Sequence, residues 1–383
     1  MKKLLALVCL IIFVDSLGYG VIVPVIPAYS HDLGIGDLGL GMLFASYALG
    51  NIVAAVPFGL LSDRVGRRPF LVFGMLAMAG AFVLYAYSDT YTSLFLSRLL
   101  DGITAAANWS VGLAVIPDVY PAGERGQAMG TVMAAMGASA IAGPALGGVL
   151  YDWLGVRAPF LMVVGVCTVG GILSIMSRGL KELPRSGAKQ SYIKMARAVL
   201  VSPGVGLTLV IVMMGSASLG VLEPLFPVHL EGVLGIGTTA IGLLFALTVL
   251  TYTLSSPFAG RIADRRGKRN PVVLGLLTTA VMAPALTFSK SMVMVALLFA
   301  LLGITIALFE TPTLPLIADL VKGEAEDEVY GTAFGLFNIA WALGYLAGPV
   351  LGGVLASKHG LPTTVIILAV PMVILAWRAW VKL

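Results

Sequence analysis

The sequence predicts an all-α membrane protein: twelve transmembrane helices in two repeated six-helix halves. Three observations lead there. Of the 383 residues, 58% are hydrophobic and only 11% charged, too little charge to clothe a soluble surface. Apolar runs long enough to cross a hydrocarbon core of about 30 Å recur to the end of the chain. The halves also repeat: Gly59-Leu60-Leu61-Ser62-Asp63-Arg64-Val65-Gly66-Arg67-Arg68 reappears as Gly260-Arg261-Ile262-Ala263-Asp264-Arg265-Arg266-Gly267-Lys268-Arg269.

In order, the candidate spans are 4–28, 39–61, 69–88, 91–117, 126–150, 157–177, 204–229, 238–261, 270–288, 291–317, 329–356 and 361–381. The halves are 1–177 and 204–383, joined by a basic linker, 178–203, that carries Arg178, Lys181, Arg185, Lys189, Lys194 and Arg197. Further pairs support the repeat. Gly143-Pro144 with Gly147-Gly148 matches Gly348-Pro349 with Gly352-Gly353, and Pro24 and Pro27 match Pro224 and Pro227. Duplicated halves of this kind mark transporters that rock around a midplane site.

A net charge of +5 would suggest nucleic acid in a soluble chain, but its placement here points to membrane orientation. With the N-terminus in the cytoplasm, 20 of the 24 Lys and Arg fall at the termini or in inside loops. Only Arg157, Lys290 and Lys358 fall outside, and Arg98 lies within a span. Both termini are therefore expected in the cytoplasm, with no cleavable signal. Cys9 and Cys167 lie in apolar runs and read as packing residues. His31, His229 and His359 form no cluster, and no metal or other cofactor is expected. Neither a phosphate-binding loop nor a nucleophile–base constellation is evident, so the chain does not read as a pump driven by ATP or as an enzyme.

Four acids lie within spans: Asp15, Asp101, Glu223 and Glu310. A charge at membrane depth costs roughly 2.5–3.5 kcal/mol on insertion scales and is seldom kept without a task. The basic side chain available at that depth, Arg98, stands i,i+3 to Asp101, close enough to pair as a structural salt bridge or as part of proton coupling. For Asp15, Glu223 and Glu310 either a proton or a cationic ligand supplies the missing charge. Taken in turn, those two states make an antiport cycle, with Asp15 facing an internal cavity. Glu223 precedes Pro224 and Glu310 stands just before Pro312, so both acids are expected at helix breaks. Phe13, Tyr19, Trp109, Tyr252, Phe309, Trp341 and Tyr345 could offer ring faces to an ammonium; Trp341 and Tyr345, four apart and one turn from Asn338, are the best placed. Asn51 and Asn108 are further hydrogen-bonding candidates.

These segments resemble the major facilitator superfamily over nearly the whole chain. Gly59 to Arg68 resembles its loop between helices two and three, Leu94 to Gly102 its helix-four motif, and Gly130 with Gly143 to Gly148 its helix-five antiporter motif, repeated in span eleven. Asp101 stands where glutamine is usual, and Ser139 replaces one glycine. A narrower resemblance, to vesicular monoamine transporters and their bacterial homologues, rests on Asp15 to Pro27, Leu222-Glu223-Pro224, Glu310 and Asn338 to Pro349. It implies that Asp15 binds a substrate amine, that Glu223 and Glu310 couple protons or gate, and that Tyr252 and Tyr345 line the site. Ser16 and Asn338 depart from the asparagine and aspartate usual there, and span two lacks the family's lysine. The superfamily also implies that Asp63 and Asp264, among Arg64, Arg67 and Arg265, latch the cytoplasmic side against the opposite half.

The expectation is a proton-coupled exporter of small lipophilic cationic amines or drugs, a monomer in the plasma membrane. The rivals are a facilitator or symporter of a neutral or anionic solute, which calls for cavity cations, and a membrane scaffold, which calls for sizeable soluble domains.

Overall fold

Among the described residues the apolar runs fold as helices joined by short turns. The computed structural model describes residues 1–183, 203–321 and 326–382. Among these, twelve helices are long and apolar enough to cross a membrane. They are α1 (Lys2–Leu33), α2 (Asp37–Val65), α3 (Arg67–Ala86), α4 (Tyr91–Val119), α5 (Gly123–Leu154), α6 (Arg157–Met176), α7 (Gly204–Leu234), α8 (Thr238–Arg266), α9 (Arg269–Phe288), α10 (Met292–Leu320), α11 (Gly335–His359) and α12 (Leu361–Lys382). Of the linker, a one-turn helix, Arg178–Lys181, is described; Arg185, Lys189, Lys194 and Arg197 lie outside the described residues.

Two helices break at prolines, whereas Pro57, Pro144, Pro257, Pro284, Pro349 and Pro371 lie inside continuous helices. In α1 a 3₁₀ turn at Val23–Val25 joins two α segments, because Pro24 and Pro27 each remove a donor. Helix α10 pauses between Glu310 and Thr313 around Pro312. The break expected at Glu223-Pro224 is absent: Pro203–Leu234 is one continuous helix with Pro224 and Pro227 inside it. Gly220, four residues before Pro224, sits so close to the ring of Pro349 that a methyl group there would come within 2.8 Å of its Cδ.

The chain forms two compact units. The first holds Met1–Ile35, the described part of Ser46–Lys189, and Ile236–Ala246; the second holds Gly36–Ala45, the rest of the described chain to Gly235, and Leu247 onward. These bounds depart from the expected halves at two helix starts: the first turns of α2 group with the second unit and those of α8 with the first. Within the first unit α1 packs on α5, and α3 on α6 and α4; within the second, α7 packs on α11, and α9 on α12 and α10.

The glycine-proline pairs explain why the packing repeats. Gly143 lies against the Leu17 carbonyl, and a methyl at Gly20 would come within 2.7 Å of Pro144 Cδ. Gly348 lies against Ala217 in the same way. Small residues let these backbones approach where lipid supplies no hydrophobic drive between helices. Apolar side chains such as Val281, Val293 and Val370 stay exposed on the outer surface, as a chain bathed in hydrocarbon allows.

At the far end of α5, Asp152 accepts a hydrogen bond from the Thr238 hydroxyl and one from the Thr239 amide at 2.9 Å, capping the start of α8 inside the first unit.

Candidate functional site

Asp15 lies on the inward stripe of α1, among Ile11, Ile12, Val14 and Leu17, and is 2% exposed. Its carboxylate is met from α4: Asn108 Nδ2 donates to Oδ1 at 2.9 Å, and Trp109 Nε1 donates to Oδ2 at 2.7 Å. Neighbours in an α-helix point about 100° apart and do not ordinarily reach one group together. Here Ala107–Val111 form a π turn, and its wider winding brings both side chains to the same carboxylate. Asn108 is fully buried, with Oδ1 against Gly74 and Nδ2 3.7 Å from Met78 Sδ, both on α3. Trp109 is only half-buried.

Arg98 does not go to Asp15. It forms the i,i+3 pair with Asp101 that the spacing predicts, Nη1 to Oδ2 at 3.4 Å, with side chains 0% and 1% exposed. Its guanidinium also lies 4.6 Å over the ring of Tyr19 and 4.9 Å over that of Tyr47. Ring faces offset part of the cost of drying a cation. The first unit thus holds two distinct acids, one in an ion pair and one met by neutral N–H donors.

In the second unit, Tyr345 Oη donates to Glu223 Oε1 at 2.9 Å. Tyr345 stacks on Trp341 with ring centroids 4.1 Å apart. Glu310 accepts hydrogen bonds from Tyr252 and Trp341. The stacked pair on α11 therefore links two acids, Trp341 serving Glu310 and Tyr345 serving Glu223. Glu310 closes the first segment of α10, where Pro312 interrupts the helix. Asn338 is exposed on α11 and Asn51 half-buried on α2.

The charged loops close ion pairs within each unit. Asp63 pairs with Arg67, which also binds Asp118 Oδ2 at 2.9 Å and Ser62 Oγ at 2.7 Å. The described contact of Asp63 is thus with Arg67, within its own unit. In the second unit Lys268 binds Asp319 and the Pro315 carbonyl. Gly66 and Gly267 take positive φ values of 109° and 85°, turns that only glycine enters cheaply. Arg64, Asp264 and Arg265 are exposed. Asp118 and Asp319 escaped the sequence reading, although they recur at the same spacing as the loops they bind. The π turn left no sequence signal beyond the unusual Asn108-Trp109 pair itself.

A profile of the Major Facilitator Superfamily matches residues 8–222 and 205–383. The chain is 28% identical over 370 residues to the probable vesicular acetylcholine transporter-B of Danio rerio, covering 94% of this chain and 75% of that one. It is 24% identical over 355 residues to the synaptic vesicular amine transporter of Mus musculus, covering 92% and 68%. A bacterial homologue of the human lysosomal transporter Spinster, solved in an inward-facing and unoccupied conformation, superposes with a TM-score of 0.85 at 16% identity over 99% of this chain and 96% of that one.

Proposed function

The chain belongs to the Major Facilitator Superfamily, and from that premise we propose that it is a proton-coupled antiporter of small lipophilic cationic amines or drugs. It works by alternating access and exports its substrate across the plasma membrane, with both termini in the cytoplasm. The observation that carries this reading is the Asp15 carboxylate: 2% exposed, inside an apolar helix, met by two neutral donors and by no ion pair among the described residues. A buried anion without a countercharge invites a proton or an organic cation to neutralise it. The Glu223–Tyr345–Trp341–Glu310 chain supplies two further carboxylates and ring faces for the same cycle. The amine transporters among the relatives support the substrate class.

Proton entry from outside would neutralise one of these acids and release the amine; deprotonation toward the cytoplasm would restore the site. Purified protein in liposomes with an imposed pH gradient tests it directly. Amine should accumulate in the acidic compartment and collapse with the gradient, and Asp15→Asn should abolish both transport and binding. Wild-type transport by Asp15→Asn, or transport indifferent to the gradient, would refute the assignment; uptake of neutral or anionic solutes instead would favour a facilitator or symporter.

A further inference from the structure

The two oxygens of Asp15 are held unequally. Asn108, which holds Oδ1, is fully buried and walled by Gly74 and Met78. Trp109, which holds Oδ2, is half-buried, so its indole is less enclosed than the amide. We infer that Trp109 is an internal stand-in for the substrate. Its indole N–H occupies Oδ2, and the ammonium of an incoming amine displaces it while Asn108 keeps Oδ1 fixed. The inference rests on the amine reading above and deepens it, making Trp109 a specificity-determining residue.

The chemistry favours the exchange in one direction. An ammonium offers Oδ2 a charge-assisted hydrogen bond, roughly twice as strong as one from a neutral donor. The indole, once displaced, keeps its ring beside the site, where its face attracts the same cation. A neutral ligand gains neither term and does not displace the indole. The π turn matters because it lets one element supply both a fixed and a yielding donor to a single carboxylate.

The test uses full-length purified protein and phenethylamine as probe, with 2-phenylethanol as its uncharged counterpart. Trp109→Phe removes the competing donor and keeps a ring, so phenethylamine should bind about tenfold more tightly than to wild type, the effect of losing roughly 1.4 kcal/mol of competition. Phenylethanol binding should be negligible in both proteins. Equal or weaker amine binding by Trp109→Phe, with wild type binding normally, would overturn the exchange and leave the amine reading standing. Failure of wild type to bind phenethylamine or any other amine would overturn both. Should the Phe variant not fold, wild type labelled with 5-fluorotryptophan serves instead, its five resonances assigned by single changes of the other four tryptophans. Phenethylamine must then shift the Trp109 fluorine resonance, and an unchanged resonance at saturating amine overturns the inference.

Discussion

Arg98 shows what one buried charge demands of its neighbours. It is wholly enclosed, paired with Asp101 and set against two tyrosine rings. Drying two ions costs several kcal/mol, and their attraction offsets this only while both are present. Arg98→Gln should therefore lower stability by roughly 3–5 kcal/mol, since it strands the Asp101 carboxylate. The double change Arg98→Met with Asp101→Leu should regain most of that loss. Thermal unfolding of the purified protein reads both, and a single variant as stable as wild type would show that the pair is not structural. If the double variant is stable yet transports without a pH-gradient dependence, the pair belongs to proton coupling as well.

Single elements carry the next level of meaning, and here the sequence was uneven as a guide. Helix positions followed from apolar length, and the packing of α1 on α5 and of α7 on α11 was foreshadowed by the glycines that make it possible. Gly20→Leu and Gly220→Leu should each cost about 1–3 kcal/mol, because a side chain must displace the facing proline ring; chemical or thermal denaturation in detergent measures it. The π turn was illegible, since an extra residue in a helical winding depends on packing against α1 and α3, not on local preference. Asp15 and Arg98 announced themselves as charges in apolar runs; Trp109 was legible as one ring candidate among seven, but its bond to Asp15 was not, because an aromatic in a membrane helix is unremarkable until its N–H is placed. Glu223 likewise misled: a proline beside it suggested a break, yet Pro203–Leu234 is continuous. Deleting Val111 should return the Ala107–Val111 segment to α winding and turn Trp109 away from Asp15. Amine affinity should then rise, as for Trp109→Phe, while the Arg98–Asp101 pair still forms, as binding and unfolding measurements on one sample would show.

Across the whole molecule, duplication supplied the frame and divergence supplied the chemistry. Arg67 and Lys268 stand at equivalent loop positions, and each binds an acid near the end of α4 or α10. They are not equally buried: the Arg67 and Asp118 side chains are 6% and 8% exposed, those of Lys268 and Asp319 19% and 61%. Exposed pairs contribute about 0–1 kcal/mol, so Lys268→Ala should hardly shift the unfolding midpoint. Arg67→Ala should shift it clearly, because it also leaves Asp63 and Ser62 without that guanidinium. Equal shifts would contradict the asymmetry. The cap at the start of α8 has its own consequence. Asp152 precedes residues 184–202 in the chain, and its partners Thr238 and Thr239 follow them. Two polypeptides made separately, one ending near 183 and the other starting near 203, therefore have a noncovalent clasp waiting for them and should co-purify without a covalent join.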